Sequence, residues 1–446
     1  MTERPSQIQS LLDLARAGDL KAFVERAKEV PPADLGDVLA SLDDEERLRV
    51  VQALPRRLSG KALIYMPDES EAEETLVALG PAQAAEVVEE LQDDEAADIL
   101  GGLEPAVQQQ ILSEVEDREE VERLLRYDEE SAGGLMTAQV VSVLDVDTAA
   151  QAIEAIRRQA GEVEKFYQVF VTDGGRKLVG LLPLRDLVTS APGRPVREFM
   201  EHAEVRVSPE EDQEEVARLM KRYNLTSLPV VDQLGRLLGH VTFDDVIAVV
   251  EAETTEDMLK FGGVSAHEEL AGGWVDAVRS RLPWLYVNLA TAFLAGGVVY
   301  FFQDTISRTV ALAVWMPIIA GMGGNAGTQA LAVTVRRLAI GNIPLGRFGE
   351  VVGKEMLVGL INGLANGVVV AVVAYLLGQG PLLGLIVFLA MTGNLFVAGF
   401  AGALIPIVLD RVKVDPAVAS SIFVTTFTDV CGFLLLLGLA GSVLIK

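Results

Sequence analysis

The pattern of apolar and polar positions divides the chain into two parts. Up to residue 130, Leu, Val and Ala recur at helical spacing in short runs, and Pro or Gly breaks the pattern, as at Pro31-Pro32 and Gly80-Pro81. From residue 283 onward, the apolar runs become long enough to cross the roughly 30 Å hydrocarbon core of a membrane. The first part is therefore predicted to be an all-α superhelical array of short helices; a plain helical scaffold with a solvated acidic face is the alternative for any one segment.

About five membrane spans are predicted, and the basic residues around them indicate their orientation. Arg and Lys are concentrated in the connections that lie on the same side of the membrane as the N-terminus. The opposite side has only Arg308 and the terminal Lys446. By the positive-inside rule the N-terminus is cytoplasmic, and an odd number of spans places the C-terminus outside a cell (inner) membrane. The first 20 residues contain no apolar segment typical of a signal peptide, which agrees with this orientation. The predicted spans lie near residues 283–302, 310–331, 352–377, 382–409 and 417–445.

An internal repeat lies within residues 137–250. The string FVTDGGRKLVGLLPLRDL (170–187) matches VVDQLGRLLGHVTFDDV (230–246), and four positions recur 59 residues later: Asp173, Leu178, Gly180 and Asp186 return as Asp232, Leu237, Gly239 and Asp245. Each copy is predicted to form a strand, a turn, a strand and a helix, with an amphipathic helix before it (148–159 and 210–223). The repeat therefore predicts a tandem α/β pair.

Charge separates the same two parts. The chain of 446 residues carries a formal charge of −27, but residues 1–282 hold a net −29 and residues 283–446 a net +2. An acidic soluble part joined to a nearly uncharged apolar part excludes a single soluble enzyme, a disordered chain and a disulfide scaffold, and it argues against a nucleic-acid partner. The three His residues are scattered, no nucleotide-hydrolysing motif occurs, and the lone Cys431 is interpreted as a small core residue. The chain is not expected to be an enzyme.

Asp429 is the acidic residue that lies deep inside a predicted span. A charge at that depth costs about 2.5–3.5 kcal/mol on insertion scales and by default marks an ion pathway. The alternative is a buried partner for a basic side chain, but the spans contain no Lys or Arg at matching depth. Asp429 is therefore the first candidate for a cation site.

Two further residues near the spans are candidates for the same pathway. A glycine-rich run (321–329) is expected to interrupt the second span, either to line a cavity or to allow close helix packing, and the amide of Asn325 within it is suited to orient a water of a hydrated cation. Asp415 precedes Pro416 at the start of the fifth span, where a helix N-cap and a cation site at the cytoplasmic mouth are both compatible with the sequence.

Paired carboxylates mark two places in the acidic part. Glu253 and Asp257 fall four residues apart in the segment that leads into the membrane domain, and Asp94 and Asp98 do so nearer the N-terminus. Like charges at this spacing destabilise a helix unless a cation lies between them. A solvated acidic face is the simpler explanation for any single pair.

The chain resembles a known family in three places. The repeat is similar to a tandem pair of cystathionine-β-synthase-type (CBS) domains, and SAGGLMT (131–137), MPIIAGMGGNAGTQ (316–329) and DPAVASSIFVTTFTDVCG (415–432) resemble the MgtE family of magnesium channels. The resemblance implies a homodimer with a Mg²⁺ pore on its two-fold axis and a cytosolic Mg²⁺ sensor that closes the pore. It also implies five segments: 1–130, an acidic helical domain; 131–197 and 198–249, the two CBS domains; 250–278, a connecting helix and linker; and 279–446, the pore domain.

The resemblance assigns roles to individual residues. It implies that Asp429 of each protomer holds a hydrated Mg²⁺ ion in the pore, with Asn325 and Asp415 nearby. Two acidic family positions are occupied here by Asn224 and Ala248, which implies fewer or weaker sensor sites, and a pore position near Ser421 also departs from the family pattern. The implied cytosolic sensor residues are Asp94, Asp98, Asp245, Glu253, Glu256 and Asp257.

CBS domains also imply a possible regulator, ATP or another adenine nucleotide. Asp186 and Asp245 could accept hydrogen bonds from the ribose hydroxyls and Arg185 could contact a phosphate, although a helix N-cap is the alternative role for both aspartates. Two rival functions stay open from sequence. One is a proton-coupled carrier in which Asp429 relays protons, and the other is a membrane-tethered nucleotide sensor without transport.

Overall fold

The computed structural model describes residues 4–67, 69–116, 118–161, 163, 166–265, 273–339 and 347–444, without the side chains of 4–6, 69, 339 and 416–420. It divides into two compact units, Met1–Glu251 and Ala252–Lys446. His267, part of the predicted linker and the terminal Lys446 lie outside the described residues.

In the part of residues 4–130 that the structure describes, the first unit is a stack of ten short helices. From α3 onward the helices pack largely against their second neighbours, so that α3 contacts α5, α5 contacts α7, and α4 contacts α6, whereas α1 packs mainly against α2. Proline occupies the first helical position of α3, α7 and α9, where the missing N–H costs nothing. The predicted superhelical array is confirmed. The helices are α1 (Arg4–Ala17), α2 (Leu20–Ala27), α3 (Pro32–Ala40), α4 (Asp44–Ala53), α5 (Arg56–Ile64), α6 (Glu69–Leu79), α7 (Pro81–Val88), α8 (Asp93–Gly101), α9 (Pro105–Glu114) and α10 (Glu119–Leu124).

The rest of the first unit contains the α/β repeat. A four-stranded sheet has the order β1-β2-β3-β4, with β1 parallel to β2 and the other pairs antiparallel, and β5 and β6 form an antiparallel pair. Both copies therefore have the predicted strand–turn–strand–helix order. The elements are α11 (Ala132–Leu135), β1 (Ser142–Leu144), α12 (Ala149–Gln159), β2 (Val169–Thr172), β3 (Leu178–Leu182), α13 (Leu184–Thr189), β4 (Glu201–His202), α14 (Gln213–Tyr223), β5 (Ser227–Val231), β6 (Leu237–Thr242) and α15 (Phe243–Phe261).

The positions that recur in the repeat have matching structural roles. The Oδ1 atom of Asp173 accepts hydrogen bonds from the backbone N–H groups of residues 175 and 177, and Asp232 does the same at 234 and 236. At Gly180 and Gly239, a Cβ atom would collide with the carbonyl oxygen of a neighbouring segment, Glu201 in one copy and Thr137 in the other. The repeat thus records turn geometry and close backbone approach, both of which belong to the fold.

Within the described ranges, six helices form the second unit together with the end of α15. Among the described residues, four of them are long and apolar enough to cross a membrane: α16, α19, α20 and the part of α21 from Ser421. The second predicted span corresponds to α18, which is an unbroken helix of 28 residues. The expectation that its glycines interrupt it is wrong. The helices are α16 (Trp274–Phe301), α17 (Gln303–Arg308), α18 (Leu312–Ala339), α19 (Phe348–Leu376), α20 (Gly380–Arg411) and α21 (Pro416–Leu444).

Helix α20 lies at the centre of the second unit, because it packs against α18, α19 and α21. Small residues make this packing close. A Cβ atom at Gly327 of α18 would meet Val424 and Thr428 of α21, and one at Gly402 of α20 would meet the backbone of Gly327. The glycines of α18 therefore bring three helices together without breaking the helix that carries them.

Candidate functional site

Asp94 lies in a buried group of carboxylates in the first unit. Its Oδ1 atom is buried and has no hydrogen-bond partner among the described residues. Burial raises the pKa of Asp94 well above its ordinary value, and the negative charges of Asp93, Asp245 and Glu95 raise it further. A carboxylate oxygen left unpaired beside other carboxylates is the arrangement that a divalent cation would relieve.

Asp245 reaches this group from the first turn of α15. Burial raises its pKa, which hydrogen bonds from Thr242 partly offset, and the charges of Asp244 and Glu95 add to the increase. Thr242 donates from its hydroxyl over 2.5 Å to Asp245 Oδ2. The structure therefore brings together Asp94 and Asp245, two predicted sensor residues that lie 151 positions apart in the sequence.

Asp93, which the sequence did not single out, fixes the position of α8. It is 7% exposed and accepts two hydrogen bonds of 2.9 Å, one from the Thr137 hydroxyl and one from the backbone N–H of Ala138. A buried carboxylate with two donors is strongly anchored. Asp93 thereby ties the helix that carries Asp94 to the segment that follows α11.

Asp98 lies one turn after Asp94 but in a different environment. It is exposed and lines a cavity of about 390 Å³ together with Asp128, Glu129 and Glu130. A larger cavity of about 900 Å³ is lined by Asp93 and further acidic side chains. Asp94 and Asp98, which were expected to form a pair on one face, therefore lie in different surroundings: Asp94 belongs to the buried group, and Asp98 lines an open acidic cavity.

A second group of charges connects the end of α15 with the start of α21. The Nζ atom of Lys260 lies 2.6 Å from Oδ2 of Asp415 and also pairs with Glu256. Burial raises the pKa of Asp257, as does the charge of Asp415, whereas Lys260 lowers it. Three expected site residues, Glu256, Asp257 and Asp415, are therefore close together, and the cation among them is an ammonium group.

Asp429 lies in α21 and is partly buried. Among the described residues, no Lys or Arg forms an ion pair with it. One turn earlier, the Thr425 methyl group would lie 3.6 Å from a Cβ atom at Gly324 of α18, the residue next to Asn325. Asn325 itself is exposed on the surface of the unit. The two pore candidates are thus carried by helices that pack against each other.

The nucleotide candidates occupy equivalent places in the two copies of the repeat. Asp186 is in the first turn of α13, after the N-cap Pro183, and Asp245 holds the corresponding place in α15. Neither aspartate is the N-cap residue, so that alternative is wrong. Arg185 is exposed beside Asp186. Asp186 and Asp245 are partly buried, and none of the described cavities is lined by the three side chains.

Asn224 and Ala248 are the two positions at which the sequence departs from the acidic pattern of the resembled family. Asn224 ends α14 in a left-handed conformation (φ 51°), a position that favours Asn, and Ala248 is exposed on α15.

The membrane helices also contain a buried glutamate. Glu355 is 6% exposed, two turns inside α19, with Lys354 Nζ at 3.6 Å from its Oε1 atom. Glu355 is therefore a second carboxylate that the membrane helices enclose, whereas the sequence had singled out Asp429 alone.

No group of three or more His, Cys, Asp or Glu side chains within the described ranges converges closely enough to hold a metal ion. The acidic residues instead form the buried group around Asp94 and, at the end of α15, a cluster that the Lys260 ammonium bridges.

Family models match most of the chain in order. A model described as "MgtE intracellular N domain" matches residues 30–130, the CBS domain model matches 132–193 and 196–252, and a model described as "Divalent cation transporter" matches 316–439. The order agrees with the helical stack, the α/β repeat and the membrane helices described above.

Curated relatives match over nearly the whole length. The "Magnesium transporter MgtE" of Thermus thermophilus is 37% identical, with 97% of each chain covered, and that of Enterococcus faecalis is 35% identical over 98% of this chain and 97% of the relative. An inosine-5'-monophosphate dehydrogenase of Korarchaeum cryptofilum is 28% identical but covers only 40% of this chain.

Solved structures resemble the first unit. The cytosolic domain of the Mg²⁺ channel MgtE in complex with ATP is 38% identical with a TM-score of 0.51, and it covers 54% of this chain and 99% of that chain. The soluble part of a magnesium transporter is 28% identical with the same TM-score, and it covers 56% of this chain and 99% of that chain.

Proposed function

Because the chain belongs to the MgtE family of divalent cation transporters, we propose that it conducts Mg²⁺ across a membrane and that Mg²⁺ bound to its acidic residues outside the membrane closes the pathway. The observation that carries the transport proposal is Asp429, a carboxylate within an apolar helix that has no ion-pair partner among the described residues. The acidic groups around Asp94 and Glu256 support the regulatory proposal. The family is one of membrane transporters, not of enzymes.

Asp429 acts on a hydrated ion. Mg²⁺ gives up its waters reluctantly, so a carboxylate holds it most readily through those waters. In a homodimer, one Asp429 from each protomer would face the same ion, and Asn325 on the adjoining α18 would orient a water molecule. The acidic unit lies in the cytoplasm in this arrangement, and the C-terminus lies outside.

Flux into liposomes tests the pore. In full-length protein, Asp429→Asn should reduce the rate of Mg²⁺ influx about tenfold or more, because the charge that attracts the ion is removed. A Mg²⁺-sensitive dye inside the liposomes measures this rate. Glu350→Gln is the matched control, since this exposed carboxylate at the start of α19 lies outside the apolar core of the helix. Unchanged influx through Asp429→Asn would overturn the proposal.

The same vesicles separate a channel from a proton-coupled carrier. A channel carries Mg²⁺ without a matching change of internal pH. A carrier in which Asp429 relays protons changes the internal pH in proportion to the Mg²⁺ that it transports. A vesicle-trapped pH dye measures this directly. A pH change that disappears with Asp429→Asn would replace the channel by the carrier, and normal folding without any flux would favour a tethered nucleotide sensor.

Closure depends on charge. Without Mg²⁺, carboxylates repel one another within the group around Asp94, and Asp257 is repelled by Glu256 and Asp415 within the second group; bound Mg²⁺ reduces the repulsion inside each group. Shifting a gate from 1:99 to 99:1 requires about 5.5 kcal/mol of differential binding, which several weak sites can share. The two acidic groups, the exposed Asp98 and the partly buried Glu253 are the sites proposed to contribute this free energy.

Patch recordings of the full-length protein test closure. The triple variant Glu253→Gln, Glu256→Gln, Asp257→Asn should conduct at cytosolic Mg²⁺ concentrations that close the wild type. A triple variant with the same charge change at exposed positions, Asp13→Asn, Glu25→Gln and Glu29→Gln, is expected to close normally. Equal closure of both triple variants would contradict the regulatory proposal.

Nucleotide is a second proposed ligand of the first unit. Its support is the likeness to a cytosolic domain solved in complex with ATP. Arg185 would contact a phosphate, and Asp186 and Asp245 would accept from ribose hydroxyls. Calorimetric titration of the full chain with ATP should show binding that Asp186→Asn weakens, while the exposed Glu201→Gln does not; binding unaffected by either change would place the nucleotide elsewhere.

A further inference from the structure

Asn394 lies in the interior of the second unit, where three helices meet. It belongs to α20 and is 0% exposed. Its Nδ2 atom donates a hydrogen bond of 2.9 Å to the carbonyl oxygen of Ile319 in α18. The sequence reveals nothing of this role, because Asn394 stands in an apolar span without a charged neighbour.

Two glycines make room for the Asn394 amide. A Cβ atom at Gly323 of α18 would lie 3.0 Å from Cγ of Asn394, and one at Gly432 of α21 would lie 3.0 Å from the same atom and 2.8 Å from Nδ2. All three distances are shorter than ordinary Cβ contacts. The amide therefore fills a space that exists only because both neighbouring helices carry glycine at this level.

The amide is not explained by space filling. Its Oδ1 atom is buried and has no hydrogen-bond partner among the described residues. An apolar side chain of similar size would fill the same space without leaving an acceptor unpaired. What the amide adds is the directional bond to α18, which fixes the axial position of that helix against α20 and α21.

The fixed position matters for the pore candidates. Asn325 follows Gly323 by two residues on α18, and Asp429 precedes Gly432 by three residues, less than one helical turn, on α21. We propose that Asn394 is a positioning residue that sets the relative height of Asn325 and Asp429, and hence how tightly the pathway holds a hydrated divalent cation. This inference rests on the proposed function.

The test measures Mg²⁺ flux into liposomes as a function of Mg²⁺ concentration with full-length protein. Asn394→Leu keeps the space filled and removes the bond to Ile319. It should raise the half-saturating Mg²⁺ concentration by about tenfold with a smaller change in maximal flux, because misplaced groups hold the ion less well. Asn366→Ala, at a partly exposed amide whose hydrogen bond stays within α19, is the control and should leave the half-saturating concentration unchanged.

A size exchange provides a second, independent measurement. Gly432→Ala alone should lower the yield of monodisperse protein and raise the half-saturating concentration, because the new Cβ displaces the amide. Asn394→Ala combined with Gly432→Ala should restore the yield, since the amide is gone, but not the half-saturating concentration. A purely structural residue would allow both to recover together.

The outcomes separate this inference from the proposed function. If Asp429→Asn abolishes flux while folded Asn394→Leu has wild-type half-saturation, the positioning role is refuted and the pore proposal stands. If Asn394→Leu does not fold, Gly432→Ala decides, and a wild-type half-saturating concentration there refutes the role as well. Unchanged flux through Asp429→Asn refutes the proposed function itself.

Discussion

The ammonium group of Lys260 lies 2.6 Å from the carboxylate of Asp415, 155 residues later in the chain. The same ammonium pairs with Glu256 on its own helix. Burial lowers the pKa of Lys260, but the hydrogen bonds to Asp415 and Glu256 outweigh burial and raise that pKa above its ordinary value. A permanent positive charge thus joins the connecting helix to the start of the last membrane helix.

Removing this charge should make the thermal stability of the protein depend more strongly on Mg²⁺. With Lys260→Met, Glu256 and Asp415 lose their shared cation, so the protein without Mg²⁺ should melt about 2–4 °C lower. Added Mg²⁺ should then raise the melting temperature more than it does in the wild type, because the ion takes the vacated position between the carboxylates. Thermal unfolding of the detergent-solubilised protein across a Mg²⁺ titration measures both effects.

The control for this prediction is Arg279→Met, which removes a basic residue paired with Asp276 at an exposed position of α16. It should change neither melting temperature nor Mg²⁺ response, since exposed ion pairs contribute little. A Lys260→Met protein that responds to Mg²⁺ as Arg279→Met does would show that the ammonium and the metal do not compete.

Asp94 predicts a pH dependence in Mg²⁺-free buffer. Its pKa in the folded protein is raised, so its contribution to stability is fully present below its unfolded pKa of 3.8 and is lost as pH rises through the folded pKa. Asp94→Asn, which imitates the protonated form, should therefore melt higher than the wild type at pH 7, and the difference should shrink toward pH 4. Calorimetry at a series of pH values tests this.

Mg²⁺ should reverse the order at neutral pH, because the ion stabilises the carboxylate and not the amide. Glu45→Gln, a change at an exposed carboxylate of α4, is expected to melt as the wild type does in both conditions. An Asp94→Asn protein that gains as much from Mg²⁺ as the wild type would remove Asp94 from the sensor.

His240 predicts a pH dependence of the opposite sign. It is 5% exposed, its ring centroid lies 5.2 Å from that of Phe170, and its Nδ1 atom has no hydrogen-bond partner among the described residues. Burial lowers its pKa to about 4, which the charge of Asp244 only partly offsets. The stability contributed by the neutral ring is therefore present above pH 6.5 and is lost as pH falls toward 4, by up to about 3 kcal/mol.

Replacement by Leu should remove this acid sensitivity with little effect at pH 7.5. The measurement is the melting temperature of His240→Leu and the wild type between pH 7.5 and 4.5. His202→Leu is the control, since that side chain is exposed. Parallel curves for the His240→Leu protein and the wild type would show that the ring is not held neutral.

Gly402 predicts a packing defect in the membrane unit. A Cβ atom there would overlap the carbonyl oxygen of Gly327 and lie 2.9 Å from Cβ of Ala330. Gly402→Ala should cost about 1–3 kcal/mol through overpacking and lower the yield of monodisperse protein. Gly438→Ala, where nothing lies within 4 Å of the new Cβ, is the control; equal yields would show that α18 and α20 can separate without loss.

Local patterns were sufficient to predict most elements. The breaks at Pro32 and Pro81 begin helices, and the matched Asp173 and Asp232 form the same turn, because a Pro or Asp acts within a few residues of its own position. The predicted α/β pair follows for the same reason. The last three predicted spans agree with α19, α20 and α21 within about four residues, whereas α16 begins before the first predicted span and α18 continues beyond the second.

Contacts between distant segments could not be predicted in this way. The glycines of α18 weaken a helix in isolation, yet α18 is continuous because α20 and α21 pack into the space they leave. Lys260 is one basic residue in an acidic segment until the fold brings Asp415 to it, and the same holds for Asn394 and Ile319. Spacing along the chain carries no information about such pairs.

The helical stack at the N-terminus has a mechanical consequence. Since most helices of the stack rest on helices close to them in the chain, a change at one contact acts first on the helices beside it. Neutralising charge at α8 would thus act first on its contacts with α6 and α10, before any effect reaches the start of the stack.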